Sequence, residues 1–442
     1  MLERLFGLAA HGTSVRTEVF AGFTTFLTMA YIVAVNPAIL SEAGLPVAAV
    51  AAATCLAAGF GSLLMGLIAN YPLALAPGMG LNAYFTYTVV KGMGVPWETA
   101  LGCVFLSGLA FLILTLVGVR QLIVAAIPRS LFAAVAAGIG LFIAFIGLRD
   151  AGIIVPNPAT AVTLGDLTKP TAALALLGLV VIGALQVWRV KGAMLIGIVV
   201  IAALAWALGL AHMAPGGVSV ADLSATAFKL DIPAALNLKG GAGGGLAMTL
   251  LEIVFVFLFV DLFDNVGTLV AVTKRAGLQT EAGEIPRLNR ILIADSVATM
   301  AGALAGTSTV TSYIESASGV AAGGRTGLTS VTVGVLFLLT LAFTPFVQAI
   351  PMAATAPALI LVGALMIGAL GEVDWTDPGV AIPAFLTVVI IPLTYSIANG
   401  LAFGITSFAA LKLIRGQARR SDWLLLVLAA LFVLRFVYLA KG

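Results

Sequence analysis

Long apolar stretches dominate this chain, and they limit the folds open to it more than any other feature. Apolar runs recur from residue 19 to residue 415, separated mostly by short polar connections. A run of about 20 apolar residues can cross the hydrocarbon core of a bilayer as a helix. Of the 442 residues, 61% are hydrophobic and 9% are charged, against about 25% charged in an average soluble protein. The pattern excludes soluble enzymes and predicts an all-α polytopic membrane protein surrounded by lipid.

Counting the runs gives about fourteen transmembrane segments. They lie at 19–40, 47–69, 76–90, 98–118, 122–148, 171–187, 192–211, 246–273, 288–304, 308–323, 328–349, 354–370, 379–397 and 399–415. A further run at 423–440 follows a basic stretch and carries Arg435. That run allows both a crossing and an interfacial position.

The positions of Lys and Arg predict the orientation, because short cytoplasmic loops are enriched in both. With a cytoplasmic N-terminus, the even-numbered connections face inward. These connections carry most of the basic residues, namely Arg120, Arg129, Arg189, Lys191, Lys274, Arg275, Arg287, Arg290, Arg325 and Lys412 to Arg420. We therefore expect a multi-pass protein of the plasma (inner) membrane with its N-terminus in the cytoplasm.

The scarce charged and metal-binding residue types exclude further classes. The net charge is +3, and the basic residues form no continuous face, so nucleic acid is not an expected partner. Both cysteines lie in apolar runs and both histidines near run ends, so we expect neither a metal site nor a cofactor.

The two halves of the chain resemble each other. Ala-Ile-Pro occurs at 126–128 and again at 349–351, and LALAPGMGLNAYF (73–85) matches GALAGTSTVTSYIES (302–316) in character. The copies lie about half the chain apart, and such repeats indicate architecture. Seven spans per half is an odd number, so the halves must have opposite orientations. Inverted repeats with interrupted helices are typical of transporters.

Segments three and ten are interrupted at matching positions. Segment three has Pro72, Pro77, Gly78 and Gly80 within nine residues, which cannot form a regular helix. Segment ten begins with the β-branched and hydroxyl-rich stretch 306–312, which includes Thr311 and Ser312. We interpret each as a short strand followed by a half-helix. Irregular backbone survives at membrane depth only where protein or a water-filled cavity covers it, so the pair predicts a central binding site that includes Asn82.

Acidic residues lie within apolar spans close to these interruptions. Asp261 and Asp264 are spaced i, i+3 in segment eight and share one helix face, and Glu315 lies near the start of the half-helix in segment ten. A bare carboxylate in a membrane costs several kcal/mol, so each acid needs a donor or a proton. Such acids can exchange protons, and a carboxylate can accept two N–H bonds from a planar ligand.

Four segments resemble a known family. They are AGFTTFLTMAYIVAVNP (21–37), ALAPGMGLNAYF (74–85), FVDLFDNVGTL (259–269) and GTSTVTSYIESASGVAAGGRTGLT (306–329). They are similar to the azaguanine-type purine permease branch of the nucleobase–cation symporter-2 family, over about residues 3 to 415. The resemblance implies fourteen spans in two inverted seven-span repeats, with short extended strands in spans three and ten.

The resemblance also implies two domains that enclose the substrate. The core domain would comprise 1–118 (spans one to four) and 246–350 (spans eight to eleven). The gate domain would comprise 119–212 (spans five to seven) and 351–415 (spans twelve to fourteen), followed by a C-terminal hydrophobic segment, 416–442.

Residue by residue, the resemblance implies a substrate site. Asp264 and Glu315 match the two key acidic positions of the family, and Asp261 and Asn82 match further binding positions. Thr268 stands where a histidine can occur in other branches. The implied function is import of adenine, guanine or hypoxanthine by proton symport, with Asp264, Asp261 and Glu315 as candidates for proton coupling. A homodimer is a further prediction from the resemblance.

Several alternatives stay open from the sequence. The substrate could be another nucleobase (xanthine or uracil), or an anion carried by the same fold, although an anion site would be expected to offer a basic residue. An intramembrane aspartyl protease also uses two aspartates. Its usual Tyr-Asp and Gly-x-Gly-Asp sequences are absent here, so it is the least favoured reading.

Overall fold

The computed structural model describes residues 2–118, 128–211, 223–236, 245–281, 284–347, 349–419 and 422–439. Arg120, Ala126 and Ile127, used above for orientation and for the repeat, lie outside these ranges, as does most of the predicted outward loop 212–245.

The first half of the chain is mainly helical. Its elements are α1 (Leu2–Phe6), α2 (Val15–Met29), α3 (Ile32–Ser41), α4 (Val47–Leu64, continued by a π-helical turn Met65–Ala69), β1 (Leu75–Pro77), α5 (Met79–Ala83, continued by π-helix Tyr84–Gly92), α6 (Trp97–Val117), α7 (Arg129–Asp150), β2 (Ile154–Asn157), β3 (Ala161–Leu164), α8 (Pro170–Val187), α9 (Ala193–Ala207) and α10 (Ile232–Leu236). The antiparallel pair β2–β3 lies in the connection 149–170, where the sequence indicated only a loop.

The second half repeats this organisation. Its elements are α11 (Gly245–Ala276), α12 (Leu288–Ala305), β4 (Val310–Ser312), α13 (Ser316–Ala321), α14 (Gly327–Thr340), α15 (Thr344–Val347), α16 (Met352–Ile367), α17 (Pro378–Thr394), α18 (Ile397–Ile414) and α19 (Trp423–Leu439). Short 3-10 turns lie at Leu223–Ala225, Leu341–Phe343 and Gly368–Glu372.

Long apolar helices confirm the prediction of a multi-pass membrane protein. Among the described residues, nine helices are long and apolar enough to cross a membrane, and Ala193–Ala207, Gly327–Phe343 and Pro378–Thr394 are shorter apolar helices. The remaining two predicted spans, three and ten, contain the strands β1 and β4. Side chains such as Leu116 (68% exposed) and Val187 (80% exposed) project from the bundle, as residues that face lipid do.

Spans three and ten are interrupted by short strands, as predicted, and the structure shows that β1 and β4 pair as one small antiparallel sheet. Leu75 pairs with Ser312 and Pro77 with Val310. Side chains of neighbouring helices satisfy the strand backbone: the Ser62 hydroxyl accepts from Leu75 N at 3.0 Å, and Thr299 donates to the Val310 carbonyl at 2.8 Å. This bonding explains why a two-stranded sheet survives at membrane depth.

The helices pack in two groups. In one, α4 contacts α3, α12 and α14, and α12 contacts α6; in the other, α7 contacts α16 and α17, and α17 contacts α18. Each group contains helices from both halves of the chain, as expected for a repeat. The domain boundaries given above stay a prediction.

The C-terminal helix α19 packs along α18. The ring centroids of Phe403 and Phe436 are 5.4 Å apart, and Phe432 contacts Phe255 of α11 at 6.0 Å. These contacts favour a membrane-embedded position for α19 over a place flat on the surface.

Candidate functional site

The two central acids lie together where the broken spans meet. Asp264 projects from α11 towards β1, and its Oδ2 lies 3.6 Å from the point that a Cβ on Gly78 would occupy. Glu315 forms the N-cap of α13, directly after β4. The two carboxylates are near enough for their charges to interact, and both side chains are partly exposed. Acids from opposite repeats therefore lie close together, and each keeps part of its surface exposed.

Glu315 has a buried hydrogen-bond donor from span one. The Tyr31 hydroxyl donates to Glu315 Oε1 at 2.6 Å, and the Tyr31 side chain is only 1% exposed. Tyr31 was not among the residues predicted for the site. The available signal was a phenol at the centre of the motif AGFTTFLTMAYIVAVNP, where a buried hydroxyl needs a partner.

Asn82 links the half-helix of span three to span ten. It is fully buried, and its Oδ1 accepts a hydrogen bond from the Ser308 hydroxyl. Its Nδ2, together with the hydroxyls of Thr311 and Ser312 in β4, has no hydrogen-bond partner among the described residues. The protein itself leaves these hydrogen-bonding groups beside the acids unused.

The remaining predicted residues lie on α11 with Asp264. Asp261 is 2% exposed, one turn before Asp264, and Thr268 is 7% exposed, one turn after it. Asp264 is thus the more accessible of the two aspartates. In span one, the Thr28 hydroxyl donates to the Thr25 carbonyl of its own helix at 2.8 Å.

The arrangement suits recognition of a small planar ligand. Carboxylate oxygens of Asp264 and Glu315 accept hydrogen bonds, while the Asn82 amide and the β4 hydroxyls donate. No basic side chain is among these residues. Within the described ranges, no three His, Cys, Asp or Glu residues are grouped in a way that could hold a metal ion.

The chain matches a family model described as the Permease family over residues 16–403. It is 51% identical to a putative permease of Methanocaldococcus jannaschii over 440 residues, covering 99% of both chains. It is 46% identical to the adenine permease AdeP of Escherichia coli, covering 99% of this chain and 96% of the relative. It is 43% identical to the guanine/hypoxanthine permease PbuO of Bacillus subtilis, covering 98% and 100%.

Solved structures support the fold. The transmembrane domain of the cyanobacterial bicarbonate transporter BicA superposes with a TM-score of 0.63 at 17% identity, covering 94% of this chain and 97% of that one. The murine anion transporter Slc26a9 in its inward-facing state gives 0.64 at 13% identity, covering 91% and 69%. These neighbours share the two-domain inverted-repeat fold. The resemblance noted from the four motifs is confirmed: this chain is a transporter of the permease family known as nucleobase–cation symporter-2.

Proposed function

We propose that this protein imports purine nucleobases, namely adenine, guanine or hypoxanthine, by proton symport across the plasma membrane, with its N-terminus in the cytoplasm. The observation that carries the proposal is the meeting of Asp264 and Glu315 beside the paired strands of spans three and ten. The adenine and guanine/hypoxanthine permeases among the relatives support the substrate class.

In this proposal the site recognises a purine by its edge. Glu315 accepts a ring N–H through the oxygen that Tyr31 leaves available. The Asn82 Nδ2 and the hydroxyls of Thr311 and Ser312, for which the described part of the chain offers no partner, donate to ring nitrogens or to an exocyclic oxygen. Each such bond is worth about 0.5–1.5 kcal/mol, and a bond to a charged group about 1.5–3 kcal/mol.

Proton coupling would use the acids of α11. Asp264 is the first candidate, because it is partly exposed and no basic residue lies among the site residues. Asp261 is the second candidate, one turn deeper in the helix, and Glu315 the third. Transport would follow from movement of the predicted core domain against the predicted gate domain, which exposes the site to each side in turn.

Uptake by expressing cells tests the substrate and the site. Labelled adenine, guanine and hypoxanthine should accumulate, with weaker competition from uracil and xanthine. Glu315→Gln and Asp264→Asn should abolish uptake at normal expression, whereas Glu372→Gln, at an exposed position, should leave it unchanged. Normal uptake by both site variants would refute the proposed site.

Reconstituted vesicles test proton coupling separately. An imposed inward pH gradient should drive accumulation above equilibrium, and a protonophore should collapse it to equilibrium. Accumulation that survives the protonophore would refute proton symport while leaving nucleobase transport intact.

A further inference from the structure

Span one breaks opposite Glu315. Helix α2 ends at Met29 and α3 begins at Ile32, so Tyr31 lies in the two-residue turn between them. Its carbonyl accepts from Val35 N at 3.0 Å and so helps to start α3. The backbone of Tyr31 is therefore held in place, and its hydroxyl reaches Glu315 Oε1 at 2.6 Å across 284 residues of sequence.

Two other side chains close to Glu315 do not compete with Tyr31 for this role. The Tyr313 hydroxyl, two residues before Glu315, donates to the Pro77 carbonyl of β1. Asp264, across the site, is itself an acceptor when ionised. Among the described residues, Tyr31 is the side chain that donates to the Glu315 carboxylate, so it can determine how that carboxylate is oriented.

From this geometry we infer that Tyr31 is a positioning residue that orients the Glu315 carboxylate for selective binding of a ring N–H. A carboxylate held at one oxygen presents its other oxygen in a defined direction, and less rotational freedom is lost when a ligand binds. Without the Tyr31 hydroxyl the carboxylate can turn, and bonding to the ligand N–H becomes weaker and less directional. The inference rests on the proposed function, because it assigns the selectivity of that same site.

The structure offers a matched control for Tyr31→Phe. Tyr71 is also 1% exposed, and its hydroxyl donates to the Pro286 carbonyl at 2.7 Å. Tyr71→Phe therefore removes a comparable buried phenol bond without touching Glu315. Any general effect of losing such a bond should appear in both variants.

Competition with N-methylated purines provides a readout that a structural role would not change. We expect wild-type protein to bind adenine and hypoxanthine more tightly than those 7-methyl or 9-methyl derivatives that lack the N–H facing Glu315. Tyr31→Phe should raise KM for the parent bases about tenfold, with Vmax per folded transporter unchanged. It should also lower about tenfold the discrimination ratio, which is the affinity for the parent base divided by the affinity for its methylated derivative. Tyr71→Phe should keep the wild-type ratio.

The discrimination ratio is measured within one preparation, so it does not depend on how much protein folds. An unchanged ratio in Tyr31→Phe overturns the inference, and so does an equal change in Tyr71→Phe. If the wild-type protein takes up no purine, the proposed function fails instead, and the two failures are distinguishable.

Discussion

The buried carboxylate of Glu18 gives a stability prediction that the structure makes quantitative. Glu18 lies in the first turn of α2 and is 0% exposed. Its oxygens accept hydrogen bonds from Arg325 N at 2.8 Å, Thr326 N at 3.2 Å and the Thr329 hydroxyl at 2.6 Å. Glu18 therefore fastens the start of span one to the turn that connects α13 to α14.

The expected cost follows from these three bonds. Glu18→Ala leaves one buried and one partly buried backbone N–H without its acceptor, and each unsatisfied group costs about 1–3 kcal/mol. The Thr329 hydroxyl keeps its longer bond to the Glu18 carbonyl at 3.3 Å. Because water and small shifts recover part of this cost, we expect a loss of about 2–4 kcal/mol. Glu18→Gln keeps one acceptor oxygen, but its amide NH₂ group then faces a donor that bonded to the other oxygen. It should therefore lower the free energy of unfolding by about 1–3 kcal/mol.

Thermal unfolding of the purified protein in detergent measures the effect. The entropy of unfolding scales with chain length, so a cooperative unit this long shifts its Tm by about 1 °C per kcal/mol. Glu18→Ala should lower Tm by about 2–4 °C and Glu18→Gln by less, while Glu372→Gln at an exposed position should not change it. A Tm for Glu18→Ala equal to that of the control variant would refute this reasoning.

Three further predictions follow from other contacts. Ser308→Ala removes the hydroxyl that donates to Asn82 Oδ1, a bond between two buried residues. It should lower the free energy of unfolding by about 1–3 kcal/mol. It should also raise KM in uptake assays, because the Asn82 amide can then turn. Gly66→Val should prevent stable accumulation, because a Cβ there would overlap the backbone at the start of α14, and membrane levels of a fluorescent fusion will report this. The bond from Arg415 holds the pKa of Asp377 below its usual value. The stability that this bond contributes is fully present above the pKa of Asp377 in the unfolded chain, and it is lost as pH falls through the lower pKa of the folded protein. The Tm difference between wild type and Asp377→Asn should therefore be constant at neutral pH and shrink below about pH 4.

Much of the candidate site was predictable because each signal was local. Two prolines and two glycines lie within the nine residues from Pro72 to Gly80, and so many in one short stretch prevent a regular helix. Acids such as Asp264 and Glu315 are costly inside apolar runs regardless of their neighbours. The matching position of the two interruptions in the halves then indicated that they meet.

Partners far apart in sequence were not predictable in this way. Nothing local links Tyr31 to Glu315, or Glu18 to the turn at Arg325, because each pair is formed by the packing of separate spans. The β2–β3 hairpin was also missed, since its strand Ala161–Leu164 is only four residues long and exposed throughout, and so short a stretch gives no clear strand signal.

The sequence by itself determined the membrane environment, the number of spans, the inverted repeat and the acids that need a partner. These properties follow from transfer free energies and backbone constraints that act on each segment independently. Only the tertiary structure decided the register of Leu75 against Ser312, which of the two aspartates of α11 is accessible, and which hydroxyl bonds to Glu315. Those outcomes depend on how helices from the two halves pack, and packing joins residues hundreds of positions apart through contacts that no single segment encodes.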